Sequence, residues 1–379
     1  MTIAEPLDVP LPDDTARSEA ASRLASLDLP GAGFGAVAEA VCWAAAVQGT
    51  ADPQPFSAVR VVLLAGDHGG GVAAGTDPAT STRRAAQELA GEGQLARLAV
   101  RIGASVEVVD AALAGSPLAP DSTTRIRDGA APIEETDAAT EDETAAGFAL
   151  GRKLADTLAD SGVDLVVLAS LGAGAEAAAA AAASFFTGVE PAALLAPVVG
   201  PDGRVDDTAW MRRCAAVRDA LARVRTRKRD PQTALAALAG PDLAVATGLL
   251  LGAAARRTPV VLDGPVGTTA ALLGRDIAGQ LPHWCLAPDT ARHPTTRTVA
   301  GRIGLDPFVD LRLDLGEGAS ALTALTVLQS ALDLAHNTAT IPQDATPENT
   351  ASEDTGPGDT PPENTSSDDG PAADSDTGT

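Results

Sequence analysis

Seven short runs of unbroken apolar residues most constrain what this chain can fold into. The first, VRVVLLAG at 59–66, shows no polar alternation and stops at a glycine. Similar runs stand at 104–113 (ASVEVVDAAL), 163–170 (VDLVVLAS), 191–200 (PAALLAPVVG), 258–264 (TPVVLDG), 283–288 (HWCLAP) and 307–313 (PFVDLRL). A strand that is apolar on both sides needs cover on both faces, the signature of a parallel sheet held between helical layers. Helical patterns fill the intervals, at 80–103, 140–162, 206–227 and 268–281. In the second of these, Thr140 precedes Glu143 by three residues, the spacing of a capping box. The predicted fold class is α/β: a parallel sheet with helices on both faces.

The ends of the chain are different. Residues 15–48 and 319–336 are helical without strands, which predicts a small helical domain assembled from both termini. The expected organisation is 1–50 as its N-terminal segment, 51–318 as the α/β domain, 319–340 as its C-terminal helix and 341–379 as an acidic tail. That tail holds ten acids, no base and many Pro, Gly, Ser and Thr residues. Such a composition cannot bury enough apolar surface to offset its ordering entropy, so it predicts a disordered, solubilising extension.

Open parallel sheets bind ligands beyond the carboxyl ends of their strands, so the loops after the runs are where chemistry is expected. The loop AGDHGGGVAAG (65–75) carries Gly69, Gly71 and Ala74 in a G-x-G-x-x-A pattern, but GTDPATST interrupts the helix a dinucleotide fingerprint requires. It reads better as a glycine-rich substrate loop. LASLGAGAEAAAAAAASFF (168–186) turns on Gly172 and Gly174 into an Ala-rich helix, which suits a phosphate on free amides or, equally, a close strand–helix turn. LDGPVGTTAALL (262–273) repeats the arrangement with Asp263 and Gly264 at the strand end. Finally, LRLDLGEGASALTALTVL (311–328) sets one carboxylate, Glu317, between Gly316 and Gly318 before an apolar helix. One reading is a favourable charge at a helix start; the other is a catalytic base on a glycine hinge.

Composition narrows the partners. A net charge of −24 argues against nucleic acid, whose phosphates need clustered Lys and Arg. Aromatics are 2% and Tyr is absent, so stacking platforms are few. Cys42, Cys214 and Cys285 are far apart and read as buried thiols. The four histidines show no metal-ligand spacing. No basic-then-apolar leader and no run of about 18 strongly apolar residues reads as a signal or membrane segment. These features predict a protein of the cytoplasm.

The order of segments resembles the nicotinate-nucleotide:dimethylbenzimidazole phosphoribosyltransferase family over about residues 29–336. The resemblance rests on LLAGDHG, TEDETAAG, DDTAWMRRCAAVRDAL, TPVVLDG and above all IGLDPFVDLRLDLGEG. It implies a Rossmann-like α/β domain with a small helical domain, and a homodimer that needs no cofactor and no metal. It implies transfer of phosphoribosyl from nicotinate mononucleotide to 5,6-dimethylbenzimidazole or a related base, releasing nicotinate. Glu317 falls on the family's general base. Gly316, Gly318, Gly172, Gly174, Asp263 and Gly264 fall on substrate-binding positions, and Arg213 on a phosphate-binding lysine. The family's acid at Ser170 and its Asn-Thr pair at Ala175 and Glu176 are replaced. Those changes support an alternative, a catalytically silent paralogue that binds a nucleotide, a base or a protein partner.

Overall fold

Alternate side chains of the central strands point to opposite faces, and each face finds its own helical layer. The computed structural model describes residues 7–119, 122–200 and 202–341. Five strands, β1 (Val59–Gly66), β2 (Ser105–Ala112), β3 (Leu165–Leu171), β4 (Val260–Leu262) and β5 (Cys285–Leu286), form one sheet in the order β2-β1-β3-β4-β5. Every pairing is parallel. The α/β expectation holds, and its reason is visible in the register: Val62, Leu64, Val166, Leu168 and Leu262 enter one core, while Val61, Leu63, Val167, Ala169 and Val261 enter the other.

The helices in chain order are α1 (Asp14–Ala25), α2 (Val37–Gln48), α3 (Pro78–Leu89), α4 (Gln94–Arg101), α5 (Glu141–Asp160), α6 (Ala175–Thr187) and the single turn α7 (Pro191–Leu194). They continue with α8 (Asp207–Val224), the turn α9 (Pro231–Ala234), α10 (Gly240–Ala255), α11 (Gly264–Ile277), α12 (Pro294–Ile303) and α13 (Ala319–Asn337). The first core takes α5, α6, α10 and α11; the second takes α2, α4 and α13. The two ends of the chain therefore meet on one face of the sheet. Arg23 donates from Nη1 to the Ala335 carbonyl at 2.6 Å, and Leu27 bridges Thr340. The chain as far as Thr340 is one compact unit. The predicted acidic tail lies outside the described residues, apart from Ile341.

Several expectations need correction. Residues 191–200 form no strand: Pro191 opens the turn α7, and Pro197 has no amide to give a ladder. Residues 307–313 form none either, beyond a lone bridge between Asp289 and Val309. The Asp289 carboxylate accepts from the amides of Leu311 (2.6 Å), Arg312 (3.2 Å) and Leu313 (2.7 Å), using the donors a ladder would need. The helix expected over 80–103 is two, because Gly91 takes φ 74° and the Glu88 carboxylate caps α4 by accepting from Leu95 and Ala96. Helix α11 starts at Gly264, ahead of its expected start at Thr268. Cys42 and Cys285 are buried, whereas Cys214 is only partly so.

One helical stretch went unread. Pro231–Ala255 is long and apolar enough by length and composition to cross a membrane, yet its apolar window is wholly buried in the fold. Its residues are apolar all round, which removes the helical periodicity that marks a half-exposed helix. It packs on α5 through Gly151 and Gly248, where an added Cβ would strike the opposite backbone.

Candidate active site

Asp263 is the residue from which the site is built. It follows β4, is buried, and its two carboxylate oxygens accept from Gly318 N (2.9 Å) and Ala321 N (3.0 Å). Those are unpaired amides at the start of α13, so a strand end holds the far helix by its N-terminus. Burial pushes the Asp263 carboxyl up from 3.8 to about 6; the two amide bonds pull it down, and Asp314 and Glu176 push it further up. Sequence reading placed Asp263 as a substrate contact. The structure gives both of its oxygens to α13, although its side chain also borders the cavity.

That anchor fixes the glycine hinge. Gly316, Glu317 and Gly318 lie at φ 72°, 54° and 93°, three consecutive left-handed residues. For glutamate this conformation costs on the order of 1–2 kcal/mol, and such strain clusters at functional sites. Gly318 is required sterically as well, since a Cβ would sit 2.7 Å from that of Ala169. Gly316 faces open space. Asp263 and not Glu317 caps the start of α13, and the Glu317 carboxylate makes no hydrogen bond to that helix. It pairs instead with Arg84 of α3, Nη1 to Oε1 at 2.5 Å.

Beside Glu317 opens a cavity of about 230 Å³ at the carboxyl ends of β3, β4 and β5. Ser170, Leu262, Asp263, Gly264 and Pro288 come from the strand ends, and Asp314, Gly316 and Glu317 from the hinge. Helix α12 and its cap supply His293, Thr296 and Arg297. The acids outnumber the bases, so the cavity suits a neutral or cationic ring and a developing positive charge. Sequence reading missed His293, since a lone histidine in HPTTR carries no motif. It is buried, and Thr295 N donates to its Nδ1 (3.2 Å), which leaves the proton of the neutral ring on Nε2, 3.8 Å from Glu176 Oε2. Burial holds its pKa below the ordinary value, against the opposite pull of Glu176 and Asp314. The Thr296 hydroxyl is buried without a partner among the described residues.

The other expected site residues do not line this cavity. Gly172 packs against Gly66, where a Cβ would collide with the carbonyl oxygen, and a Cβ on Gly174 would stand 3.1 Å from the backbone of Val72 and Ala73. Here the glycines make a tight strand–helix turn. Asp67 ties the loop after β1 to those after β3 and β2, its carboxylate accepting from Ala173 N (2.7 Å) and Ala114 N (3.0 Å). The loop at 65–75 is held by a side chain from another segment, since Glu134 Oε1 accepts from Gly71 N at 2.6 Å. His68 is buried against Asp242, 3.2 Å away. Arg213 is buried and donates from Nε to the Ala74 carbonyl at 2.8 Å; burial lowers its pKa and Glu176 partly offsets this. Its two terminal nitrogens have no protein partner among the described residues. No cluster of three His, Cys, Asp or Glu side chains that could hold a metal occurs among the described residues.

Fold and site define a parallel α/β protein with an acid-bearing small-molecule cavity beyond its strand ends. The chain belongs to the phosphoribosyltransferase family, whose model matches residues 9–345. It is 39% identical over 330 residues to the nicotinate-nucleotide–dimethylbenzimidazole phosphoribosyltransferase of Streptomyces avermitilis, covering 86% of this chain and 87% of that one. It is 37% identical over 339 residues to the enzyme of the same name from Mycobacterium tuberculosis, covering 88% and 92%. The crystal structure of the Thermus thermophilus enzyme of that name superposes with a TM-score of 0.77 at 28% identity, over 86% of this chain and 97% of the other.

Proposed function

We propose that this protein transfers the 5-phosphoribosyl group of nicotinate mononucleotide to 5,6-dimethylbenzimidazole or a related base, giving α-ribazole 5′-phosphate and nicotinate. The observation that carries this reading is Glu317, held in a strained conformation beside the cavity by the Asp263–α13 anchor. One ring nitrogen of the base attacks the anomeric carbon as the bond to nicotinate breaks. The other ring nitrogen becomes acidic, and the Glu317 carboxylate accepts its proton. Glu176, Asp263 and Asp314 surround the same space and favour the positive charge that builds on the sugar and the base. Arg213 is the cation we assign to the 5′-phosphate, through the two nitrogens that the Ala74 bond leaves free.

The relatives' shared name and the retained Glu317 favour this reading over a silent paralogue, which has no use for a strained acid beside a cavity. We include in the proposal a homodimer in the cytoplasm, the dimer to be checked by sedimentation velocity. The decisive experiment is turnover by the purified protein with nicotinate mononucleotide and a panel of benzimidazoles and purines, followed by chromatography of the ribotide. A ribotide formed from dimethylbenzimidazole supports the reading; no ribotide with any base sinks it.

A further inference from the structure

Resting on that functional reading, we infer that Arg84 is the residue that positions the Glu317 carboxylate for proton transfer. Arg84 belongs to α3 and reaches Glu317 Oε1 at 2.5 Å. A carboxylate has two oxygens able to accept bonds. With Oε1 taken by the guanidinium, Oε2 is left for the ring N–H of the acceptor.

The contact is built in by packing. On the buried side of α3, Glu88 caps α4 by accepting from Leu95 N (3.1 Å) and Ala96 N (2.8 Å). Leu95 in turn lies against the hinge, since a Cβ on Gly318 would stand 3.2 Å from its Cδ1. The helix carrying Arg84 and the turn carrying Glu317 are thus joined through Glu88 and Leu95. The neighbouring Arg83 bonds Gln87 instead, so the pairing with Glu317 belongs to Arg84.

Stability is not what the pair supplies. The Arg84 side chain is 54% exposed, and ion pairs of that kind contribute little to folding. A glutamate side chain has several rotatable bonds, and without a partner it spreads over rotamers that miss the substrate. The value of the pair is orientation.

A double-mutant cycle tests this. Arg84→Ala should lower kcat about tenfold, a fraction of the roughly 10²–10⁴ expected of the base itself. It should leave the KM for nicotinate mononucleotide and the melting temperature unchanged. Arg84→Lys should recover part of the loss, and Arg84→Ala should cost nothing further in a Glu317→Gln background. A kcat within twofold of the unaltered protein, a faster variant, or losses that multiply in the double variant would each overturn the assignment. If the unaltered protein makes no ribotide, the functional reading fails, and the positioning claim is read from calorimetry with dimethylbenzimidazole. Arg84→Ala and Glu317→Gln should then weaken binding with no added loss in the double variant. Additive losses, or no binding by the unaltered protein, would overturn it.

Discussion

Two turns in this protein look alike in sequence, border the same cavity and use their glycines differently. Residues 170–177 end β3, pass through Gly172 and Gly174, and enter the Ala-rich α6 with an acid, Glu176, in its first turn. Residues 313–320 pass through Gly316 and Gly318 and enter the apolar α13 with an acid, Glu317, just before it. Both helix starts follow a left-handed glycine. At the first turn the glycines exist to let backbones touch: Gly172 lies on Gly66 and Gly174 on Ala73. At the second, Gly316 meets nothing, Gly318 is pinned by Asp263, and the acid between them borders a cavity. A glycine-flanked turn is a backbone permission; its neighbours decide whether the glycines serve close packing or present an acid.

The largest test of that contrast is at the acid. Glu317→Gln keeps the shape and removes the proton acceptor, so turnover should fall roughly 10²–10⁴-fold. Folding should change by no more than about 1 kcal/mol, the scale of an exposed ion pair. Steady-state kinetics beside chemical denaturation measure both. A variant with full turnover would leave the second turn's acid without a catalytic role.

Next comes a methyl group added to each turn. Gly172→Ala forces a Cβ into the Gly66 carbonyl and should cost about 1–3 kcal/mol or more, the usual penalty of overpacking. Gly316→Ala enters open space at φ 72° and should cost only the left-handed backbone term, about 1 kcal/mol. Equal losses in a urea titration would show that packing does not separate the two glycines.

The smallest test concerns the anchor. Because the folded Asp263 carboxyl is raised from 3.8 to about 6, the folded state binds the proton more tightly than the unfolded chain. Its contribution to stability is therefore full below about pH 4 and is lost as pH rises through about 6. Asp263→Asn has no such step. The stability of the unaltered protein minus that of the variant should fall between those pH values, by at most about 3 kcal/mol. A flat difference across that window would show that the second turn's anchor does not titrate as burial demands.

Much of the fold was legible because its determinants are local. Unbroken runs such as VRVVLLAG announce strands covered on both faces, and the Thr140–Glu143 box marks the start of α5. The unread parts were those where a distant side chain takes the backbone's donors. Asp289 claims the amides of 311–313 and prevents a strand there, and no pattern within PFVDLRL reports that. Helix α10 was invisible for the opposite reason, since full burial erases periodicity.

At the site, the sequence by itself determined that a glycine-flanked carboxylate, Glu317, stood before an apolar helix, because glycines and charges are visible one residue at a time. Tertiary structure alone decided that Asp263 grips α13, that Arg84 holds Glu317 and that His293 faces Glu176. The first two of these pairings join residues 55 and 233 positions apart in the chain. A hydrogen bond acts over about 3 Å, and only a packed sheet brings such distant segments within that reach.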